Sequence, residues 1–380
     1  MTDEPAGGAR SLFTALYDGD NAVVRALRAG ASAESCDEEG TTALYLASVE
    51  DLPGTVRLLL AAGADPDRAS GPQAGDLPLC GAACGGHGDV VEALLAAGAG
   101  PDLREEFGFT ALRWAVGLGH ARVAEILLAH GADPDLPGPQ GESPLVVAAR
   151  RGSVATVRTL LRHGAGDLAR ALEEARRTQA PDVERELRDD LRAMYGDGVD
   201  DDARVRRSQV DGAETVTVEL VRDGEPYASL DRQTGHGAIA TLLEAGLGLR
   251  APFGELAARA LRDGGPGLEN WRVVVGALRE RGDEETFQAA AAWAAGDDPL
   301  RQLLGVEVLA RLGFRGGAKP FAARAVPLLR ELARAPVGVP GPRSVHEPLD
   351  ARVDSRLVSR ATWALGQYEG PSDPTGNGDI

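Results

Sequence analysis

The sequence has 380 residues, of which 43% are hydrophobic, so it is long enough for two or more domains with buried cores. Its formal net charge of −18 argues against generic binding to nucleic acids or anionic membranes, because like charges repel. The N-terminus has no positive segment followed by an apolar run, and no stretch reaches the ~18 apolar residues of a membrane span, so we expect neither a secretory signal nor a membrane span.

Cysteine and lysine usage says more about origin than about function. Three cysteines are an odd and small number, which argues against a disulfide framework. Lys319 is the one lysine among 40 basic residues, and this bias, with abundant alanine and glycine, indicates a bacterial GC-rich genome. The default expectation is a soluble, cytoplasmic protein.

The chain begins with residues 1–9, which we expect to be a disordered tail. Residues 10–29 predict two short helices with one apolar face, as the terminal cap of a helical stack requires. From residue 40 to 165 one unit recurs: two short helices, the second with a Val/Leu/Ile stripe, and a closing glycine.

The repeat period is fixed. The closing glycines follow one another at spacings of 33, 35, 33 and 33 residues, at Gly30, Gly63, Gly98, Gly131 and Gly164. The opening leucines Leu44, Leu79, Leu112 and Leu145 stay in register with them. A period near 33 with two helices per unit predicts a stacked solenoid, because one unit cannot bury its own stripe.

These units resemble the ankyrin repeat, whose pattern is roughly G-x-T-P-L-x-x-A-A-x-x-G-H. The pattern is present from Gly75 to His87, from Gly108 to His120, from Gly141 to Gly152 and from Gly40 to Ala47. The unit at 10–32 resembles a degenerate N-terminal cap, so residues 10–165 hold about five repeats. The resemblance implies binding of another protein through the finger tips and the concave face of the first helices.

Carried over by position, the partner-binding surface would include Glu38, Glu39 and Thr41, and the following ten residues: Tyr45, Arg68, Asp76, Arg104, Phe107, Phe109, Arg113, Gln140, Glu142 and Arg150. Two of these, Phe107 and Phe109, occupy positions where the repeat pattern requires no aromatic residue, and aromatic residues are frequent interface anchors. The alternative for Phe109 is packing on a neighbouring finger. Trp114, next to an inner alanine of the repeat, is expected in the core.

After the repeats the pattern changes twice. Residues 166–195 predict two charged helices, interrupted at Pro181, that cap the last repeat. Residues 196–235 begin with an acidic linker and then alternate in polarity on both sides of Asp223-Gly224, which predicts a β-hairpin.

The C-terminal part is predicted to be helical. Over residues 236–368, two segments starting at Asp298 and Asp354 resemble HEAT-type repeats, separated by a Pro/Gly-rich insert at 336–348. The tail 369–380 is expected to be disordered. The predicted fold is mostly α: an ankyrin-repeat solenoid followed by a small β-hairpin and an α-helical HEAT-like (α-α superhelix) domain.

Only one group of residues has a spacing that suggests metal binding. Cys80, Cys84 and His87 form C-x3-C-x2-H, but a fourth ligand at zinc spacing is absent. We favour small buried thiols and a turn-capping histidine, and we expect no cofactor.

The sequence therefore predicts a monomeric protein-protein interaction scaffold or adaptor that is not an enzyme. One alternative is an enzyme with its active site in region 196–270, where Asp231, His236 and Glu244 could serve as acid or base. A perturbed pKa of His236 in a deep pocket would favour it. Another alternative is an inhibitor or immunity protein that binds a single partner through an acidic decoy surface.

Overall fold

The protein is described from a computed structural model that covers residues 6–72, 75–178, 183–196, 203–210, 213–222, 224–262, 265–334 and 349–369. Contacts divide the chain into two compact units. The first unit holds the described residues up to Arg206 together with Val216–Ile239, and the second holds Arg207–Thr215 and the described residues from Ala240 onward. None of the described helices is long and apolar enough to cross a membrane.

Several predicted segments lie outside the described residues. They are the acidic stretch from residue 197 to 202, the helix break at Pro181, the insert at 336–348 and the tail from residue 370. The structure therefore leaves these predictions untested.

The first unit consists mainly of paired short helices. They are α1 (Ala6–Asp18), α2 (Asp20–Arg28), α3 (Ala43–Val49), α4 (Pro53–Ala61), α5 (Pro78–Gly85), α6 (Gly88–Ala96), α7 (Ala111–Leu118), α8 (Ala121–Ala129), α9 (Pro144–Arg151) and α10 (Val154–Arg162). The first helices stack in the order α3, α5, α7, α9, and the second helices stack in the order α4, α6, α8, α10. Helix α1 begins at Ala6, within the segment expected to be a disordered tail.

Local sequence signals explain where the first helices begin and end. Thr42, Thr110 and Ser143 each accept a hydrogen bond from the backbone N–H three residues later, which caps the helix start. At the end of α7, Gly119 has a φ of +81°, a left-handed conformation that glycine adopts without strain. Asp51, with a φ of +52°, takes the equivalent place after α3, and aspartate tolerates that conformation better than most residues.

The fingers are the segments between a closing glycine and the next first helix: the first finger is 31–42, the second 64–77, the third 99–110 and the fourth 132–143. Carboxylates of one finger accept backbone N–H groups of the next repeat, with Asp67 bonded to Gly100 N at 3.0 Å and Asp102 to Asp133 N at 3.0 Å. Asp135 bonds to Gly166 N at 2.9 Å in the same way. These side chains hold successive fingers in register.

After the repeats come α11 (Leu168–Arg177), α12 (Val183–Tyr195) and a three-stranded sheet of β1 (Ala203–Val210), β2 (Ala213–Arg222) and β3 (Glu225–Gln233) in the order β1-β2-β3. The predicted hairpin corresponds to β2 and β3. The additional strand β1 was not predicted, because most of its residues are charged or polar. A small core forms between α12 and the sheet, with these buried members: Leu187, Leu191, Val216, Val218 and Leu220.

The C-terminal part of the chain is helical, as predicted. Its helices are α13 (His236–Gly246), α14 (Phe253–Arg262), α15 (Glu269–Arg281), α16 (Glu284–Ala294), α17 (Pro299–Ala310), α18 (Ala322–Ala333) and α19 (Leu349–Glu369). In the second unit α17 packs against α15, α16 and α19, and α18 packs against α19. Trp271, 1% exposed, is among the largest fully buried side chains.

A glycine in α17 allows the close packing of α16 and α17. A Cβ atom at Gly305 would lie 2.5 Å from the carbonyl oxygen of Ala290 and 2.6 Å from the amide nitrogen of Ala294. We expect Gly305→Ala to lower the free energy of unfolding of the second unit by about 1–3 kcal/mol through overpacking. Fluorescence-detected urea unfolding would measure it, since Trp271, Trp293 and Trp363 all lie in that unit.

Gly276 in α15 provides the matched control. No atom lies within 4 Å of the Cβ that an alanine would add there, so Gly276→Ala should raise stability by roughly 0.5–1 kcal/mol through helix propensity. Equal effects of the two substitutions would contradict this description of the α16–α17 contact.

Candidate functional site

The third finger carries the most exposed apolar side chains of the fingers. Phe107 is 65% exposed and Leu103 on the same finger is 42% exposed. The sequence prediction included Phe107 but missed Leu103, because the fourth finger has a leucine at the equivalent position, Leu136, which is half-buried. Together they form an apolar finger tip, defined here as Leu103 and Phe107.

Phe109 has a different environment from Phe107. Its ring is half-buried and meets the Trp114 ring edge-on, with centroids 5.2 Å apart. The Arg113 guanidinium lies 5.1 Å from the Phe109 ring centroid, a cation–π distance. Phe109 therefore packs within its own repeat, and Trp114, expected in the core, is half-buried at this contact.

Two of the predicted arginines brace the fingers. Arg68 donates to the carbonyl oxygen of Glu34 at 2.5 Å and forms an ion pair with the Glu34 carboxylate. Arg104 donates to the carbonyl oxygens of Gly108 at 2.7 Å and of Pro137 in the fourth finger at 2.8 Å. These cations are therefore committed to contacts between repeats.

Arg150 joins two carboxylates at the C-terminal end of the predicted surface. It pairs with Glu142 and, at 2.5 Å, with Glu174 on α11. The hydrogen bond from Arg150 holds the pKa of Glu142 below its ordinary value.

The remaining predicted residues vary in exposure. Gln140 is exposed at the fourth finger, while Tyr45 and Asp76 are half-buried. Burial raises the pKa of Tyr45, and the nearby Asp76 carboxylate adds to this effect. Tyr45 and Arg113 lie on the first helices α3 and α7, whereas Asp76 lies in the second finger, bridged to Ser70.

Glu105 in the third finger was not among the predicted residues. It is only 9% exposed, and burial raises its pKa while the backbone N–H groups of Phe107 and Phe109 oppose the rise. Its Oε1 atom has no hydrogen-bond partner among the described residues. The only sequence signal was the pair of glutamates at the finger tip.

The four fingers together are strongly acidic. They contain 13 Asp and Glu residues and only two Arg, both of which are already engaged as described above. Carboxylates such as Asp67 and Asp102 accept neutral backbone N–H groups, which satisfies their hydrogen bonds without cancelling their charge. The finger row therefore keeps a negative potential that would attract cations.

The three residues considered as acid or base in the enzyme alternative make hydrogen bonds or ion pairs with other residues of the chain. His236 is 3% exposed, and its Nε2 lies 3.0 Å from the carbonyl oxygen of Arg150. The Asp231 carboxylate pairs with Arg151 at 2.5 Å. Glu244 forms a two-pronged pair with Arg259 at 2.7 Å for both bonds, and both side chains are 4% exposed.

The three residues considered for a metal site have different environments. Cys80 is buried and Cys84 is exposed, while the Nε2 of His87 lies 3.1 Å from the Val49 carbonyl oxygen. Within the described ranges, no group of three or more His, Cys, Asp and Glu side chains could hold a metal ion.

Comparison with known families identifies the repeats. The model described as Ankyrin repeat matches residues 39–70, and the model described as Ankyrin repeats (3 copies) matches residues 74–170. Residues 39–170 are therefore ankyrin repeats, which confirms the interpretation of the motif spacing. A search of curated proteins found no match. The HEAT-like resemblance of residues 236–368 lies outside both matches and stays a prediction.

Two histidines, the half-buried His120 and the buried His236, should make this part of the chain sensitive to acid. Burial lowers the pKa of His120 and His236 from the ordinary 6.5, so the unfolded chain binds protons that the folded chain resists. Stability should therefore be full above about pH 6.5 and fall as the pH drops below it. Hydrogen exchange of the backbone amides at pH values between 7.5 and 5.5 would measure this loss, after each rate is divided by the intrinsic exchange rate at that pH.

His236→Gln keeps a donor near the Nε2 position but cannot titrate, so it should reduce the loss of stability on acidification. His130→Gln is the control, because His130 is exposed and bonds to its own helix at Ile126 O, 2.8 Å away. An unchanged pH dependence in His236→Gln would contradict the assignment.

The Glu244–Arg259 pair should be costly to break. Glu244→Ala leaves the Arg259 charge buried with Glu255 as its remaining carboxylate, so we expect a loss of about 3 kcal/mol in the free energy of unfolding. The double variant Glu244→Leu/Arg259→Met should recover most of the loss, because it removes both charges. Fluorescence-detected urea unfolding would compare the three proteins.

Proposed function

We propose that this chain is a protein-binding scaffold or adaptor that holds its partner on the fingers and the inner face of the ankyrin repeats. The observation that carries the proposal is the apolar finger tip, whose two large side chains are exposed at the centre of the finger row. An exposed aromatic side chain flanked by polar residues is a typical anchor of a protein interface. Regulation of the bound partner would follow from its capture.

The partner surface should be basic. The four fingers carry 13 acidic residues, and their two arginines are held by contacts within the chain. A partner segment rich in Arg or Lys would be steered toward this row, and an apolar side chain within it would contact Phe107. The charge pattern thus favours a cationic segment with an apolar anchor.

We also propose that the chain acts as a monomer in the cytoplasm and that region 196–270 has no catalytic role. The contacts of Asp231, His236 and Glu244 support a structural role for each of these residues.

Carbodiimide coupling in native lysate would test the finger tip. This reagent joins carboxylates to amines without a spacer, and the chain's own lysine content is limited to Lys319, so coupling within the chain should be minor. We expect Leu103→Ala/Phe107→Ala to reduce capture of a specific protein at least ten-fold, as the loss of an anchor worth about 2 kcal/mol would give. The control is Tyr17→Ala on α1, where the side chain is 71% exposed.

Unchanged capture by the double variant would place the binding surface elsewhere on the chain. Phe109 is left intact in this design, because its packing on Trp114 would confuse loss of binding with local unfolding.

The charge of the fingers should control the association rate. We expect Glu39→Lys/Glu106→Lys to slow association with the captured partner about ten-fold or more at low salt, and we expect the difference to shrink as salt rises. Surface plasmon resonance at several salt concentrations would measure the rates. Glu92→Lys, an exposed site on the second helix α6, is the matched control and should have little effect.

A further inference from the structure

One contact recurs along the repeat stack and then appears where no repeat was predicted. The carbonyl oxygen five residues after an opening leucine accepts a bond from a histidine of the next unit. The pairs are His87 Nε2 to Val49 O at 3.1 Å, His120 Nε2 to Cys84 O at 3.1 Å, and His236 Nε2 to Arg150 O at 3.0 Å. His236 thus takes the place of a sixth repeat's histidine, although it lies 86 residues after Arg150.

In one repeat an arginine replaces the histidine as the donor. The equivalent carbonyl of Gly117 meets a repeat that has Ser153 instead of histidine, and Arg151 Nη1 donates to it at 3.3 Å. Each of the four equivalent carbonyls therefore has a donor from the unit that follows it.

The start of α13 has the sequence and burial of a second repeat helix. Gly235-His236-Gly237 is identical to Gly86-His87-Gly88. The third residue after the histidine is buried in both segments, Val90 in α6 and Ile239 in α13.

The backbone of this segment contacts the glycine turn of the fifth repeat. Gly235 N donates to Gly152 O at 3.2 Å, whereas Gly86 N and Gly119 N donate to Ala83 O and Val116 O of their own first helices. A Cβ atom at Gly152 would lie 2.8 Å from Cε1 of His236, much as one at Gly86 would lie 2.9 Å from Cε1 of His120.

Helix α11 supplies the matching first helix. It packs against α9 as α9 packs against α7. Its buried Ala171, Leu172 and Ala175 have the spacing of the following buried residues in α7: Ala111, Leu112 and Ala115. In three of the four regular repeats a turn glycine comes seven residues after the opening leucine, and counting from Leu172 that position is residue 179.

We infer that α11 and the start of α13 are the two halves of one discontinuous sixth repeat, and that residues 179–234 are an insertion at its turn. Thr178 would be the last residue of the first half, and Gly235 would take the sequence position of the turn glycine without the positive φ of Gly86 and Gly119. Helix α12 and the three-stranded sheet are then a module held at both ends by one repeat.

Hydrogen exchange of the full chain tests this inference. His236→Ala should speed exchange about ten-fold or more in both 236–239 and 168–177, because the Arg150 carbonyl loses its donor and both segments belong to one repeat. His120→Ala should act similarly on its own repeat, and His130→Ala should not. Faster exchange confined to 236–239, with 168–177 unchanged, would overturn the inference.

Removing the insertion tests the register. A deletion of 179–234 joins Thr178 to Gly235, and we expect residues 144–177 to stay as protected as in the full chain. A deletion of 180–234 keeps Gln179 and shifts the turn by one residue, so exchange over the same residues should be at least ten-fold faster. Equal protection in the two deletions, or loss of protection in the in-register deletion, would contradict the inference.

Discussion

The last carbonyl groups of a short helix have no partner within that helix, and the first helices of this solenoid are only seven or eight residues long. Each repeat therefore depends on its successor for a donor as well as for apolar contact. The imidazoles of His87, His120 and His236 and the guanidinium of Arg151 meet this need. Stacking of the helices is thus specified by directional bonds, which fix the register that apolar contact alone would leave loose.

Backbone N–H groups at the start of the fingers also need partners, and carboxylates supply them. Backbone N–H groups of one finger are capped by aspartates of the previous one, such as Asp67 and Asp102. The bonds that align the fingers therefore also create their negative potential. The same aspartates therefore align the fingers and make the finger row acidic.

The sequence predicted the repeats well because their signals are local and repeated. A glycine such as Gly119 marks a positive φ, and Thr110 two residues before an opening leucine marks a helix start. Strand β1 pairs with the next strand along the chain, β2, but it was missed because most of its residues are charged or polar and only Ala203 and Val205 pack against the small core. Its charged residues gave no alternation that could be detected.

The surface was harder to predict than the fold. Position within the repeat placed Phe107 and Phe109 together at the finger tip, but only contacts distinguish an exposed ring from one packed on Trp114. His236 was considered as an acid or base because its tripeptide stood far from the repeats in the sequence. Its identity with Gly86-His87-Gly88 was a usable signal that distance along the chain concealed.

The three thiols differ in a way that matters for labelling. Burial raises the pKa of Cys80 to about 12, so this thiol stays protonated and out of reach of reagents. Cys36 on the first finger and Cys84 on α5 are exposed. A maleimide dye would therefore attach to the natural sequence at these two positions, both close to the proposed binding surface. Occupancy of the repeats could then be followed by fluorescence without introducing a single cysteine.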